Sequence, residues 1–213
     1  MKLDIQPKEI ISLGNNNKFN RFLKRAFDII VSFLGLIFTL PIILISALLV
    51  RINYKESGFF TQTRVGMNGK KFKIIKIKTM SSKINYATTV TTEKDPRITK
   101  LGKIYRKTKI DELPQLINVL KGEMSFVGPR PDVEEIIYSI DKEKRKKFLS
   151  IRPGITGPAS IKYKNEEEIL AKEKKPEIYN KEIIFPDKVD INEIYMKNYS
   201  IKNDIKYIMK TIV

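Results

Sequence analysis

Neither cysteine nor histidine occurs in the 213 residues. Without cysteine there is no disulfide and no thiolate nucleophile. Without histidine there is no imidazole base, no histidine-based triad, and the commonest zinc ligand is missing. Chemistry on this chain therefore falls to carboxylates, lysine, arginine, tyrosine or hydroxyl groups. A metal, if used, is a hard, oxygen-bound ion such as Mg²⁺. Acidic charge is scarce beside basic: 24 Asp and Glu stand against 41 Lys and Arg, a formal net charge of +17. That imbalance points to an anionic partner, whether nucleic acid, anionic lipid or a phosphorylated substrate. The length suits one compact domain with an appendage.

Charge is absent altogether from residues 29–50, IIVSFLGLIFTLPIILISALLV. The run is long enough to cross a bilayer core, which takes about 20 residues. It starts too late and runs too long for a cleaved signal peptide. A straight transmembrane anchor is the simplest reading. Two features favour another. Pro41 lies inside the run and predicts a break or kink. Both flanks are basic, with Lys24 and Arg25 before and Arg51 and Lys55 after, and positive flanks stay in the cytoplasm. Each piece beside Pro41 is about 12 residues, roughly 18 Å of helix, too short to span alone. A re-entrant helix-break-helix over 26–52 satisfies these constraints, with Asp28 at the interface, paired with Arg25. Residues 1–25 then form a basic lead-in that starts mobile, and 53–213 form the main domain.

Beyond the apolar run, FFTQTRV and KKFKIIKIKTM flank Met67-Asn68-Gly69, a β-hairpin pattern with an Asn-Gly turn. Its alternation slips at Ile74-Ile75, which suggests a bulge. Lys76 and Lys78 form a solvated face or line an anion site. Residues 81–96 read as a polar, mobile loop. A helix from Thr99 should carry Leu101, Ile104 and Tyr105 inward and a basic face outward. Residues 132–149 read as helix, acidic early and basic late, in accord with the helix dipole. Arg152 to Pro158 reads as a tight loop whose glycines admit close backbone approach. Residues 164–182 read as a charged surface segment. Ile201, Ile205, Ile208 and Ile212 mark the apolar stripe of a terminal amphipathic helix, which either caps the domain or lies on a bilayer.

The centre of the chain is Lys107 to Pro131. Asp111 and Glu112 sit side by side, just before an amphipathic run with Leu113, Leu116, Ile117 and Leu120 at helical spacing. Pro114 falls where the first helical turn would be. An ionised carboxylate at that place, amid many cations, can serve as a nucleophile or as a metal ligand. Gly128-Pro129-Arg130-Pro131 closes the stretch. Two prolines fix the backbone around one guanidinium, which suits forked recognition of a phosphate.

These stretches, in order, resemble the bacterial sugar transferases, the monotopic phosphoglycosyl transferases, and most of all their small PglC-like members. The resemblance runs from Lys24 to the end. It is carried by Lys24 to Asp28, Phe60 to Gly66, Lys76 to Met80, Asp95 to Thr99, DELPQLINVLKGEMSFVGPRP, and Arg152 to Gly157. It implies an α+β monotopic membrane protein, with a proline-broken re-entrant helix, a small hairpin and several short amphipathic helices. It implies a bacterial inner-membrane location with the catalytic domain on the cytoplasmic face. The implied reaction moves a sugar-1-phosphate from a UDP-sugar to polyprenol (undecaprenyl) phosphate, releases UMP, and starts a surface glycan.

In the family the Asp of the Asp-Glu pair is the nucleophile, so Asp111 would form an aspartyl phosphosugar intermediate. Mg²⁺ is required, with Glu112, beside Asp111, helping to hold it. Arg130 is expected to clamp phosphate and Arg106 to meet the lipid phosphate, with Arg97, Lys78 and Arg152 as further substrate-binding candidates. Anionic inner-leaflet lipid is an expected partner, nucleic acid is not, and a homodimer is an assembly the resemblance allows. Two departures stand out. Leu40 precedes Pro41 where the family often has Ser, with Thr39 one step earlier. Pro158 follows the Gly-Ile-Thr-Gly loop where Trp is common, so the sugar is not carried over. Two other readings compete. A non-enzymatic basic membrane adaptor leaves the Asp-Glu pair and the Pro-Arg-Pro loop unexplained. A nucleic-acid binder conflicts with the uncharged run.

Overall fold

The computed structural model describes residues 18–84, 91–92 and 95–212. The first 17 residues, and much of the polar segment 81–96, lie outside the described residues. The long helix α1 (Lys18–Tyr54) leads into an antiparallel hairpin of β1 (Phe59–Val65) and β2 (Lys71–Ile77). Asn68 and Gly69 make the turn at φ 57° and 75°, the left-handed region that Asn-Gly supplies at low cost. The pairing runs Phe59↔Ile77 to Val65↔Lys71 without a slip, so the bulge expected at Ile74-Ile75 is absent. In its place the side chain of Asn118 serves the open edge of β2. It accepts from Ile75 N at 3.1 Å and donates to Lys73 O at 2.8 Å.

Helix α2 (Lys100–Thr108) starts at a Thr99 cap whose hydroxyl accepts from Gly102 N. Tyr105 is buried and Leu101 half-buried, as expected, but Ile104 is exposed. A 3₁₀ turn, Ile110–Glu112, joins α2 to α3 (Gln115–Lys121). Strand β3 (Ser125–Val127) pairs in parallel with β4 (Gly154–Thr156), and the crossover between them holds α4 (Glu134–Ser139) and α5 (Lys142–Phe148). The expected tight loop at 152–158 is thus partly a strand. Its glycines face another backbone: a Cβ on Gly154 would lie 2.1 Å from Gly128 N. Helices α6 (Pro158–Lys162), α7 (Glu166–Ala171), α8 (Pro176–Tyr179), α9 (Phe185–Lys197) and α10 (Ile201–Ile212) complete the domain.

Helix α1 is packed the reverse of a soluble amphipathic helix. Lys24, Asp28 and Ser32, each four residues apart and so on one face, are buried. The rest of that half shows Phe19, Phe22, Ile30, Phe33, Ile37 and Phe38 to the outside. An exposed apolar surface of this extent marks a membrane or partner contact. Lys24 Nζ pairs with Asp204 of α10 and donates to Val127 O at 3.0 Å, while Tyr195 donates to the other Asp204 oxygen at 2.6 Å. The expected Asp28–Arg25 pairing gives way to separate partners. Asp28 accepts from Ser125 Oγ and Phe126 N, and Arg25 donates to Val119 O and Leu120 O. In the second half, Ile43, Ala47 and Val50 share a core with Ile77 and Tyr105.

The helix is continuous through Pro41, so of the expected break or kink the break is absent. The ring's fixed φ is compatible with helix, and what is removed is one N–H. The Thr39 hydroxyl donates to Gly35 O at 2.7 Å, one turn back. Helix α10 caps the domain, but through Asp204, Tyr207 and Ile208 rather than the whole isoleucine stripe. Ile205 and Met209 face outward.

Candidate active site

The reversal of direction between α2 and α3 creates the site. Lys109 ends α2 in the left-handed conformation, φ 59°, which turns the chain sharply into Ile110–Glu112. Asp111 points inward and is 7% exposed. Its Oδ1 is sealed from solvent and has no hydrogen-bond partner among the described residues. Burial pushes its pKa up from 3.8 to about 6. The positive charges of Lys76, Arg106 and Lys109 oppose that rise, and the negative charge of Glu112 adds to it.

Glu112 lives in the opposite environment. Its Oε1 accepts from Lys76 Nζ at 2.9 Å and from Arg130 Nη2 at 3.1 Å. Burial alone would raise its pKa, but Arg130 and Lys76 outweigh that and hold the carboxyl well below the usual range. Glu112 in turn raises the Arg130 guanidinium, and burial lowers the Lys76 ammonium, with Arg130 adding to the fall. Two adjacent carboxyls are thereby set apart: one fixed as an anion, the other left poorly solvated and free to react.

Arg130 is held where the Pro-Arg-Pro loop meets β4. Gly128 N donates to Thr156 O at 3.0 Å and Gly154 N to Pro129 O at 2.9 Å. The guanidinium side chain is 47% exposed, so its outer edge can take a ligand. Beside it, Arg64 of β1 bonds Asp132 at 3.0 Å. Arg106 projects from α2. Its charge acts on Asp111, and its Nη1 bonds Glu167 of α7 at 2.8 Å. Arg97 is paired with Asp95, whose carboxyl also feels Arg106, so this pair borders the Arg106 side of the site.

Lys78 is drawn off to Glu56, which it holds well below the usual carboxylate range. Arg152 is not brought to the dyad. Its Nε donates to Gly122 O, at the far end of α3 beside Arg25, where cations complement the last carbonyls of a helix.

Lys76 is the member that sequence reasoning left undecided. Its signal was the period-two register of β2. Lys76 shares the face of Phe72 and Ile74, both buried, so it points inward beside the dyad. Among the described residues no group of three or more carboxylates gathers to hold a metal. Mg²⁺, however, is commonly held by one or two carboxylates together with substrate phosphates. Asp111 Oδ1 without a donor fits that donor set, and both cations on Glu112 sit on Oε1, leaving Oε2 as a second oxygen.

The bacterial sugar transferase family model matches residues 19–213. The chain is 37% identical over 203 residues to the UDP-glucose:undecaprenyl-phosphate glucose-1-phosphate transferase of Escherichia coli, covering 91% of this chain and 40% of that protein. It is 34% identical over 205 residues to the exopolysaccharide production protein ExoY of Sinorhizobium fredii, covering 89% and 83%. To a UDP-N-acetylgalactosamine-undecaprenyl-phosphate N-acetylgalactosaminephosphotransferase of Aeromonas hydrophila it is 31% identical over 194 residues, covering 90% and 43%. The chain thus spans less than half the length of the first and third, and most of ExoY. With a family match over nearly all described residues, this chain belongs to the bacterial sugar transferase family.

Proposed function

We propose that the chain is a phosphoglycosyl transferase that moves a sugar-1-phosphate from a UDP-sugar to undecaprenyl phosphate at the cytoplasmic face of the inner membrane, and so starts a surface glycan. The observation that carries this reading is the contrast within the dyad. Asp111 is a buried carboxylate with an unpartnered oxygen, and Glu112 is locked by Lys76 and Arg130. With a pKa of about 6, Asp111 is mostly ionised at neutral pH yet thinly solvated, which suits a nucleophile.

In the proposed first step an Asp111 oxygen attacks the β-phosphorus. The bond from that phosphorus to the bridging oxygen breaks, and UMP departs with the electron pair. In the second step an oxygen of undecaprenyl phosphate attacks the same phosphorus and displaces the Asp111 carboxylate, leaving a lipid diphosphate sugar. Arg130 and Arg106 neutralise phosphate charge as it redistributes. Asp111 and Glu112 would hold Mg²⁺, which supplies further charge neutralisation on phosphate oxygens. An arriving phosphate takes the place of Glu167 on Arg106.

The way α1 is held supports the monotopic reading. The helix bonds the same domain near its start through Lys24 and Arg25, packs Gly35 against Leu116 at its middle, and joins the domain core through Ile43, Ala47 and Val50. A helix crossing the bilayer would carry these partners across with it. A shallow, one-sided insertion keeps the domain and both basic flanks in water and the exposed apolar face in lipid. That supports monotopic seating, with anionic inner-leaflet lipid meeting the basic helices.

The test is UMP release against a panel of UDP-sugars with undecaprenyl phosphate and Mg²⁺, for wild type, Asp111→Asn, and wild type with a chelator. Release with one sugar, lost in both controls, is the expected result and names the donor. Release that persists in Asp111→Asn overturns Asp111 as nucleophile, and release that persists with chelator removes the metal. No release with any sugar returns the adaptor reading.

A further inference from the structure

Among the described residues, four buried side-chain polar atoms lack a hydrogen-bond partner: Arg64 Nε, Asp111 Oδ1, Gln115 Nε2 and Asn192 Oδ1. Two of these fall within one helical turn of sequence. Leu113 and Pro114 both have right-handed helical dihedrals, so the path from Asp111 to Gln115 coils without a break. At the rise per residue of a 3₁₀ or α-helical path the two residues stand about 6–8 Å apart along the chain. One of the two atoms is an acceptor and the other a donor.

Gln115 is 2% exposed. A sealed amide N–H with no acceptor costs stability, and a folded chain rarely keeps one without a use. The neighbouring carboxamide sharpens the point. Asn118, one turn further along α3 and fully buried, uses every group it has. Its oxygen takes Ile75 N, and its nitrogen serves Lys73 O and Glu123 Oε2. Gln115, in the same helix, has a donor that no atom of the described residues answers.

We propose that Gln115 is a substrate-contacting residue whose Nε2 donates a hydrogen bond to a non-bridging phosphoryl oxygen of the group that Asp111 attacks. The inference rests on the reading of Asp111 as the nucleophile. The chemistry matches on each side. Non-bridging phosphoryl oxygens accept and never donate when ionised, and Nε2 offers only donors. Lys76 and Arg130 are engaged with Glu112, so a neutral donor on the Asp111 side supplies directionality that the clustered cations do not. A preorganised donor of this kind acts on the charge that develops in the transition state, so its loss appears in kcat.

The test uses the full chain, with Gln115→Met, which keeps length and removes the donor, and Gln115→Glu, which keeps shape and replaces the donor with an acceptor. UMP release is measured against UDP-sugar concentration beside thermal unfolding, with Asp111→Asn as reference. The expected result is that Gln115→Met melts at or above wild type, because an unanswered polar group is gone. Its kcat should fall about 100-fold with KM little changed, as for loss of one such donor. Gln115→Glu should lose at least as much activity. If both variants keep kcat within threefold of wild type while Asp111→Asn is inactive, the proposal is overturned and the Asp111 reading stands. A lower melting temperature with unchanged kcat gives Gln115 a packing role only, which also overturns it. Wild-type release by Asp111→Asn removes the reading beneath it, and the proposal falls with that reading.

Discussion

Replacing Asp111 with asparagine should inactivate the protein and stabilise it, with the stabilisation growing as pH rises from about 4 through about 6. Folding takes the Asp111 carboxyl from about 3.8 to about 6, chiefly by burial. A carboxyl whose folded pKa is raised binds its proton more tightly in the folded state. Its contribution is therefore most favourable below the unfolded pKa and is lost as pH climbs from about 4 through about 6. A shift of about two units corresponds to about 3 kcal/mol of destabilisation at pH 7.5. Asparagine carries no charge at any pH and so escapes it. For a chain of this length, each kcal/mol moves the melting temperature by roughly 2–4 °C. Thermal unfolding in one detergent, with chelator present, should show Asp111→Asn melting about 6–12 °C above wild type at pH 7.5. The gap should shrink to about a third by pH 4.5 and close by about pH 3. A variant that melts level with or below wild type at pH 7.5 would refute the argument that burial raises this group. So would a gap that ignores pH.

Two further perturbations test the scaffold. Lys24→Met leaves Asp204 as a buried charge bonded to Tyr195 and close to the charge of Asp28, and should cost about 3–5 kcal/mol in a denaturant titration. Lys24→Met combined with Asp204→Asn should recover most of that loss, and additive losses would contradict the pairing. Gly154→Ala would place a Cβ 2.1 Å from Gly128 N, where no flexible side chain can yield. It should cost ~3 kcal/mol or more and displace Arg130, read as a lower yield of folded protein and a raised KM for the UDP-sugar.

The residues gathered at the candidate site are partly ones that residue order alone singles out. The Asp-Glu pair, the Pro-bracketed Arg130 and the basic helix bearing Arg106 all lie where local pattern put them. The cations separated only in three dimensions. Arg130 reaches Glu112, whereas Arg152, in an equally suggestive Pro-Gly loop, closes the end of α3 instead. Lys78 follows Lys76 by two residues and yet belongs to Glu56. Strand alternation gives the face of a side chain. Which partner stands opposite depends on elements distant in sequence, as with Lys76 and Glu112, 36 positions apart.

Composition and local pattern determined the classes of chemistry open to this chain. The absence of histidine and cysteine left carboxylates, lysine, arginine, tyrosine and hydroxyls, the basic excess called for an anionic partner, and the long uncharged run marked a segment compatible with a membrane. The hairpin turn followed from Asn68-Gly69 because short-range dihedral preference decides it. Tertiary structure decided what long-range burial decides. It sealed Asp111 while leaving Glu112 to two cations, and so gave neighbouring identical functional groups opposite proton affinities. It also turned the charged face of α1 inward, because Lys24 and Asp28 find Asp204, Ser125 and Phe126 only when α1 packs against α10 and β3.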